Sequence, residues 1–142
     1  VERAILTDLI GGSAMGNSIQ KMISNQLKEI LQAETNDGLQ FFKMSVLYKN
    51  IELDNYWLAN PFKFDYEYVD YEKSHIELAA VGNQKIRDIQ VSNSAEFEEI
   101  NLKIKPPERL YFSKIVFKPS ISKRLLLIRG VTGGVGFMFR VL

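Results

Sequence analysis

The 142-residue chain predicts an α+β fold, a largely antiparallel sheet with two packed helices. Three observations lead there. Two apolar stripes have helical spacing, several runs alternate with period two, and no low-complexity linker divides the chain, so residues 1–142 read as a single domain. The composition is that of an ordinary globular protein, 46% hydrophobic and 25% charged, and a chain of this size buries enough apolar surface for a core without covalent staples.

Taken in order, residues 7–16 read as a short element that ends in a glycine-rich turn. Ile19, Met22, Ile23, Leu27, Ile30 and Leu31 then mark one face of a helix near 18–33, capped by Asn17 or Ser18 and ended near Thr35 to Gly38. From Leu39 the pattern becomes β. Phe42, Met44, Val46 and Tyr48 alternate with polar residues, and Phe62, Phe64, Tyr66 and Tyr68 alternate with Lys63, Asp65 and Glu67. Ile76 with Leu78, Ile86 with Ile89, and Ile100, Leu102 and Ile104 suggest further short strands. Pro106-Pro107 interrupts the chain before an apolar strand over 110–117. Ser120 or Ser122 is expected to cap a second helix near 120–129, and Val135, Phe137, Phe139 and Val141 alternate as a closing strand. Phe42, Phe64, Leu102 and Phe137 are the expected inward-facing residues. An offset of 98 residues also superposes Ile23, Leu27, Gly38 and Phe41 on Ile121, Leu125, Gly136 and Phe139, an echo that would make two helix–glycine–strand units.

Several classes of chemistry are excluded or disfavoured. With no cysteine, disulfide frameworks, Cys-ligated zinc or iron–sulfur sites and thiol nucleophiles are ruled out. The same absence suits a reducing compartment, and the expected location is cytoplasmic. No apolar run reaches the length of a membrane-spanning helix, so no membrane association is expected. Val1 in place of methionine points to a processed or trimmed chain. Gly11-x4-Gly16-Asn17-Ser18 has the outline of a phosphate-binding loop, but Asn17 stands where that chemistry needs a lysine charge. Gly133-Gly134-Val135-Gly136 has no room for a following helix and reads as a turn. His75 is the one histidine, and its neighbour Ser74 should point to the opposite face of a strand. The acids between 65 and 77 lack the full ligand spacing of a calcium loop. No catalytic residue, cofactor or metal site is expected.

Charge is uneven along a chain of net charge +1. Residues 52–77 hold seven acids against two lysines, whereas residues 101–142 hold nine Lys or Arg against one acid. Such a split marks two functional surfaces or two complementary faces of one fold. The acidic stretch is also rich in aromatics. Clustered carboxylates steer a cationic partner and rigid aromatics anchor it, so Asp65, Glu67, Asp70 and Glu72, with Tyr56, Trp57 and Tyr71, are the candidate partner-binding residues. Asp65 and Glu67 are expected to be exposed opposite Phe64 and Tyr66.

Asn60-Pro61, the alternating run after it and Val69-Asp70-Tyr71-Glu72-Lys73-Ser74 together resemble the central motif of a family of bacterial polymorphic-toxin immunity proteins, the eleventh catalogued immunity family. The stretches 23–41 and 121–137 resemble its flanking units, although Leu125-Leu126-Leu127-Ile128 is more apolar than the mixed helix that pattern has. The resemblance implies a mixed α+β fold and a non-enzymatic role, binding and neutralising a cognate toxin, here expected to be basic. It supplies no catalytic residues. The alternatives are a small hydrolase or nuclease that uses His75 with nearby carboxylates, and a nucleic-acid-binding module that uses Lys103, Lys105, Arg109, Lys114, Lys118, Lys123, Arg124 and Arg129. The modest net charge and the aromatics lying among acids make nucleic acid the less favoured partner. The sequence leaves the oligomeric state open.

Overall fold

A computed structural model describes residues 7–11, 20–35, 37–131 and 134–139. Over these the chain forms β1 (Leu9–Gly11), β2 (Lys21–Ser24), α1 (Asn25–Glu34), β3 (Leu39–Tyr48), β4 (Ile51–Pro61), β5 (His75–Ala79), β6 (Lys85–Ile89), α2 (Ser94–Lys103), β7 (Arg109–Lys114), β8 (Leu125–Val131) and β9 (Gly134–Phe139). The strands make three antiparallel groups, ordered β1-β2-β4-β3, β6-β5-β7 and β8-β9. The fold is α+β.

The expected first helix is present, but its start is displaced. Residues 21–24 pair with β4 as a strand, and the cap is Ser24, whose hydroxyl accepts from the Leu27 N–H at 3.1 Å and donates to Asp8 Oδ1 at 2.6 Å. The caps proposed at Asn17 and Ser18 and the phosphate-loop residues after Gly11 lie outside the described residues. The helix ends as expected at Thr35, whose N–H donates to the Leu31 carbonyl.

The second helix lies elsewhere. Residues 120–129 do not form one; Leu125, Leu126, Leu127 and Ile128 are consecutive, all fully buried and all in β8. An unbroken apolar run marks a strand covered on both faces as readily as a helix, and here both faces are covered. Leu125 and Leu127 pack with Ile23, Leu31 and Ala59, while Ile128 packs with the Phe97 and Phe112 cluster. The 98-residue echo is therefore no structural repeat, since α1 corresponds to a strand. The second helix is α2, in the segment expected to be the strand 100–104. Asn93 accepts from the Glu96 N–H at 2.9 Å, and Glu96 accepts from the Ser92 N–H at 2.7 Å, a reciprocal cap. Phe97, Ile100 and Ile104 then share the buried side, and Leu102 is 86% exposed rather than inward. Of the other expected inward residues, Phe64 and Phe137 pack on the core, whereas Phe42 is 49% exposed.

The alternation from Phe62 to Tyr68 does not make a strand. After Pro61 the chain turns, and residues Tyr66–Tyr68 form one turn of 3₁₀ helix. The turn lets Asp65 and Tyr66 both point inward, which a strand forbids. Two apolar clusters make the core. One lies between α1, β4 and β8. The other surrounds Phe97, whose ring centroid is 4.6 Å from Tyr66 and 5.1 Å from Phe112. Phe64 touches both clusters.

Candidate functional site

The seven candidate contact residues do not share a surface. Asp65, expected to be exposed, is 3% exposed. Its carboxylate accepts from Lys123 Nζ at 2.5 Å and from the Leu127 N–H at 2.9 Å, and its own N–H donates to the Leu127 carbonyl at 2.9 Å. Asp65 thus stitches the turn after β4 to the middle of β8. Its place in a partner interface is corrected to a place in the fold, because a carboxylate leaves water only where donors replace it.

Two of the aromatics are also interior. Tyr56 is buried and its hydroxyl donates to the Thr7 carbonyl at 3.2 Å. Tyr71 is buried against Phe97, and its hydroxyl donates to the Tyr66 carbonyl at 3.1 Å. Burial pushes the Tyr66 phenol up to about 12 and raises that of Tyr71 as well. Trp57 is half-buried on the α1 face of β4, where Lys28 and Lys43 stand over its ring at 4.4 and 4.9 Å. Its indole N–H donates to Asn25 Oδ1 at 3.0 Å.

Glu67, Asp70 and Glu72 remain together. They border one hollow of about 360 Å³, which Val69, Tyr71, Ser92, Asn93, Ser94 and Lys118 also line. The loop carrying the three acids is held at several points. The Asp70 N–H donates to the Val116 carbonyl at 2.8 Å, the Lys118 N–H donates to the Tyr68 carbonyl at 2.8 Å, and Val69 bridges to Phe117. The Asp70 carboxylate accepts from Lys73 Nζ at 2.8 Å, which holds its pKa below the usual carboxylate range. Glu67 and Glu72 are exposed and have no ion pair among the described residues.

The chemistry considered for His75 is not gathered around it. His75 is exposed on β5 opposite Lys114. The Ser74 hydroxyl accepts from the Val116 N–H at 2.9 Å and faces its carbonyl at 3.3 Å, so it fastens two backbone segments. The nearby carboxylate of Asp88 is paired with Lys85. Of the eight basic candidates of the C-terminal third, five are engaged: Lys123 with Asp65, Arg124 with Glu34, Lys103 with Glu99, Lys118 with the Glu67 carbonyl and Arg109 with Asn83 Oδ1. These pairs include the contact between acidic and basic segments that their opposite charges suggested. No described helix is long and apolar enough to cross a membrane, and no cluster of metal-ligating side chains occurs among the described residues.

Comparison with protein-family models, with curated proteins and with solved structures finds no match for this chain.

Proposed function

We propose that the chain is an immunity-type interaction protein that binds a cognate bacterial toxin and neutralises it by covering a cationic site, with Glu67 and Glu72 as the leading contacts and Asp70 beside them. The observation that carries this reading is the pair of exposed carboxylates, neither in an ion pair among the described residues, on a pinned loop. A loop already fixed by backbone hydrogen bonds loses little entropy on binding, and unpaired surface acids speed encounter with a basic partner. The likeness of the segment 60–74 to the immunity family's central motif supports the same role and implies action without catalysis, in the cytoplasm of the producing cell. A toxin that cleaves nucleic acid presents a cationic cleft that such acids fill in place of phosphate. The test is co-production with the C-terminal domain encoded by the neighbouring reading frame. Growth should be protected by the wild-type chain and lost with Glu67→Lys/Glu72→Lys, whose thermal midpoint should match the wild type. Full protection by the reversed variant would refute the assignment of this face.

A further inference from the structure

β3 ends its sheet, and among the described residues no strand pairs with its outer edge. At 10 residues that edge is roughly 33 Å of backbone N–H and carbonyl groups, a template for one more strand. The hairpin that carries it is well defined. Lys49 and Asn50 both take positive φ, 49° and 63°, the geometry that continues the natural twist of paired strands.

The two faces beside this edge differ in chemistry. On the α1 side lie Lys43 of β3 and Lys28 of α1, both stacked over Trp57, and neither is ion-paired among the described residues. On the other side Phe42 faces Leu58 across the pair and is 49% exposed, with Met44 next along the strand. We infer that the β3 edge accepts an extended segment of a partner protein whose residues alternate acidic and apolar, acids towards Lys28 and Lys43 and apolar side chains towards Phe42 and Met44. Backbone pairing would supply affinity and the two faces specificity. A second copy of this chain fits poorly. Antiparallel β3–β3 pairing turns about an axis through the sheet, so it sets both copies' Lys28 and Lys43 on the same face, where like charges oppose one another. Cationic side chains at an edge are a known guard against self-pairing.

The inference stands apart from the acidic rim at Glu67 and Glu72, and reversing those charges should leave it untouched. Two labelled peptides of about nine residues test it, one alternating valine and glutamate and one alternating valine and lysine. Fluorescence anisotropy should show that the glutamate peptide binds and the lysine peptide does not, with amide-exchange protection gained over 39–48. Lys28→Glu/Lys43→Glu should weaken the glutamate peptide at least tenfold; if that variant does not fold, the wild-type comparison of the two peptides decides. No binding of the glutamate peptide, equal binding of both, protection outside 39–48, or a dimer formed through 39–48 without peptide would each overturn the inference.

Discussion

Replacing Asp65 with alanine tests whether this carboxylate belongs to the fold or to a binding surface. The substitution removes the acceptor for the buried Leu127 N–H and the partner of Lys123. The two losses differ in size. Lys123 is 38% exposed in its side chain and returns to water at little cost. The Leu127 N–H lies in a strand segment with no solvent, and an orphaned buried donor costs about 1–3 kcal/mol, on top of a charge-assisted bond worth roughly 1.5–3 kcal/mol. Because these two figures overlap, about 3 kcal/mol is the expected loss, in line with removing one partner of a buried ion pair. With a urea slope of about 2 kcal/mol/M, the midpoint should fall by roughly 1.5 M, followed through the single tryptophan, Trp57. Asp65→Asn, which keeps an acceptor for the N–H, should lose about half as much, and Glu67→Ala no more than about 0.5 kcal/mol. A drop for Asp65→Ala no larger than that for Glu67→Ala would refute the structural role.

Alkali should destabilise the fold through its buried phenols. Tyr66 ionises near 10 when unfolded and near 12 when folded, so the folded state holds more protons between these values. The stability it contributes is full below pH 10 and is lost as pH rises towards 12, on the order of 2 kcal/mol; urea midpoints from pH 8 to 11.5 should show the decline, and a flat profile would contradict it. Gly130→Ala should cost about 2 kcal/mol or more, because Gly130 has φ of +87° and an added Cβ would lie 2.9 Å from the Leu110 carbonyl oxygen. A thermal midpoint equal to wild type would show that the backbone yields there. His75→Ala should leave both folding and protection unchanged, and loss of a hydrolytic activity with folding intact would favour an enzyme instead.

The fold class was legible because it depends on the mixture of periodicities, which survives errors in individual elements. The errors have a common cause. Leu125-Leu126-Leu127-Ile128 has no polar face, so its period is unreadable, and only the two clusters pressing on it from opposite sides decide for a strand. Ile100, Leu102 and Ile104 alternate, yet Phe97, Ile100 and Ile104 also have helical spacing, and the Asn93–Glu96 cap that settles the choice was readable from Asn93, four residues before Phe97. The site was legible in part. Charge and aromatic content located the segment but could not show that its alternation is broken at Asp65, because the partner that draws this acid inward, the Leu127 N–H, is 62 residues away. Glu67 and Glu72 do face solvent, but not through the strand alternation expected for Glu67, since Glu67 lies in the 3₁₀ turn and Glu72 in the turn that follows.

The most direct test of the proposed function is a calorimetric titration of the chain with a catalytically inactivated form of the toxin domain encoded beside it. The account predicts a one-to-one complex whose affinity falls at least tenfold in Glu67→Lys/Glu72→Lys and weakens with added salt. Tight binding that neither the charge reversal nor salt alters would contradict it.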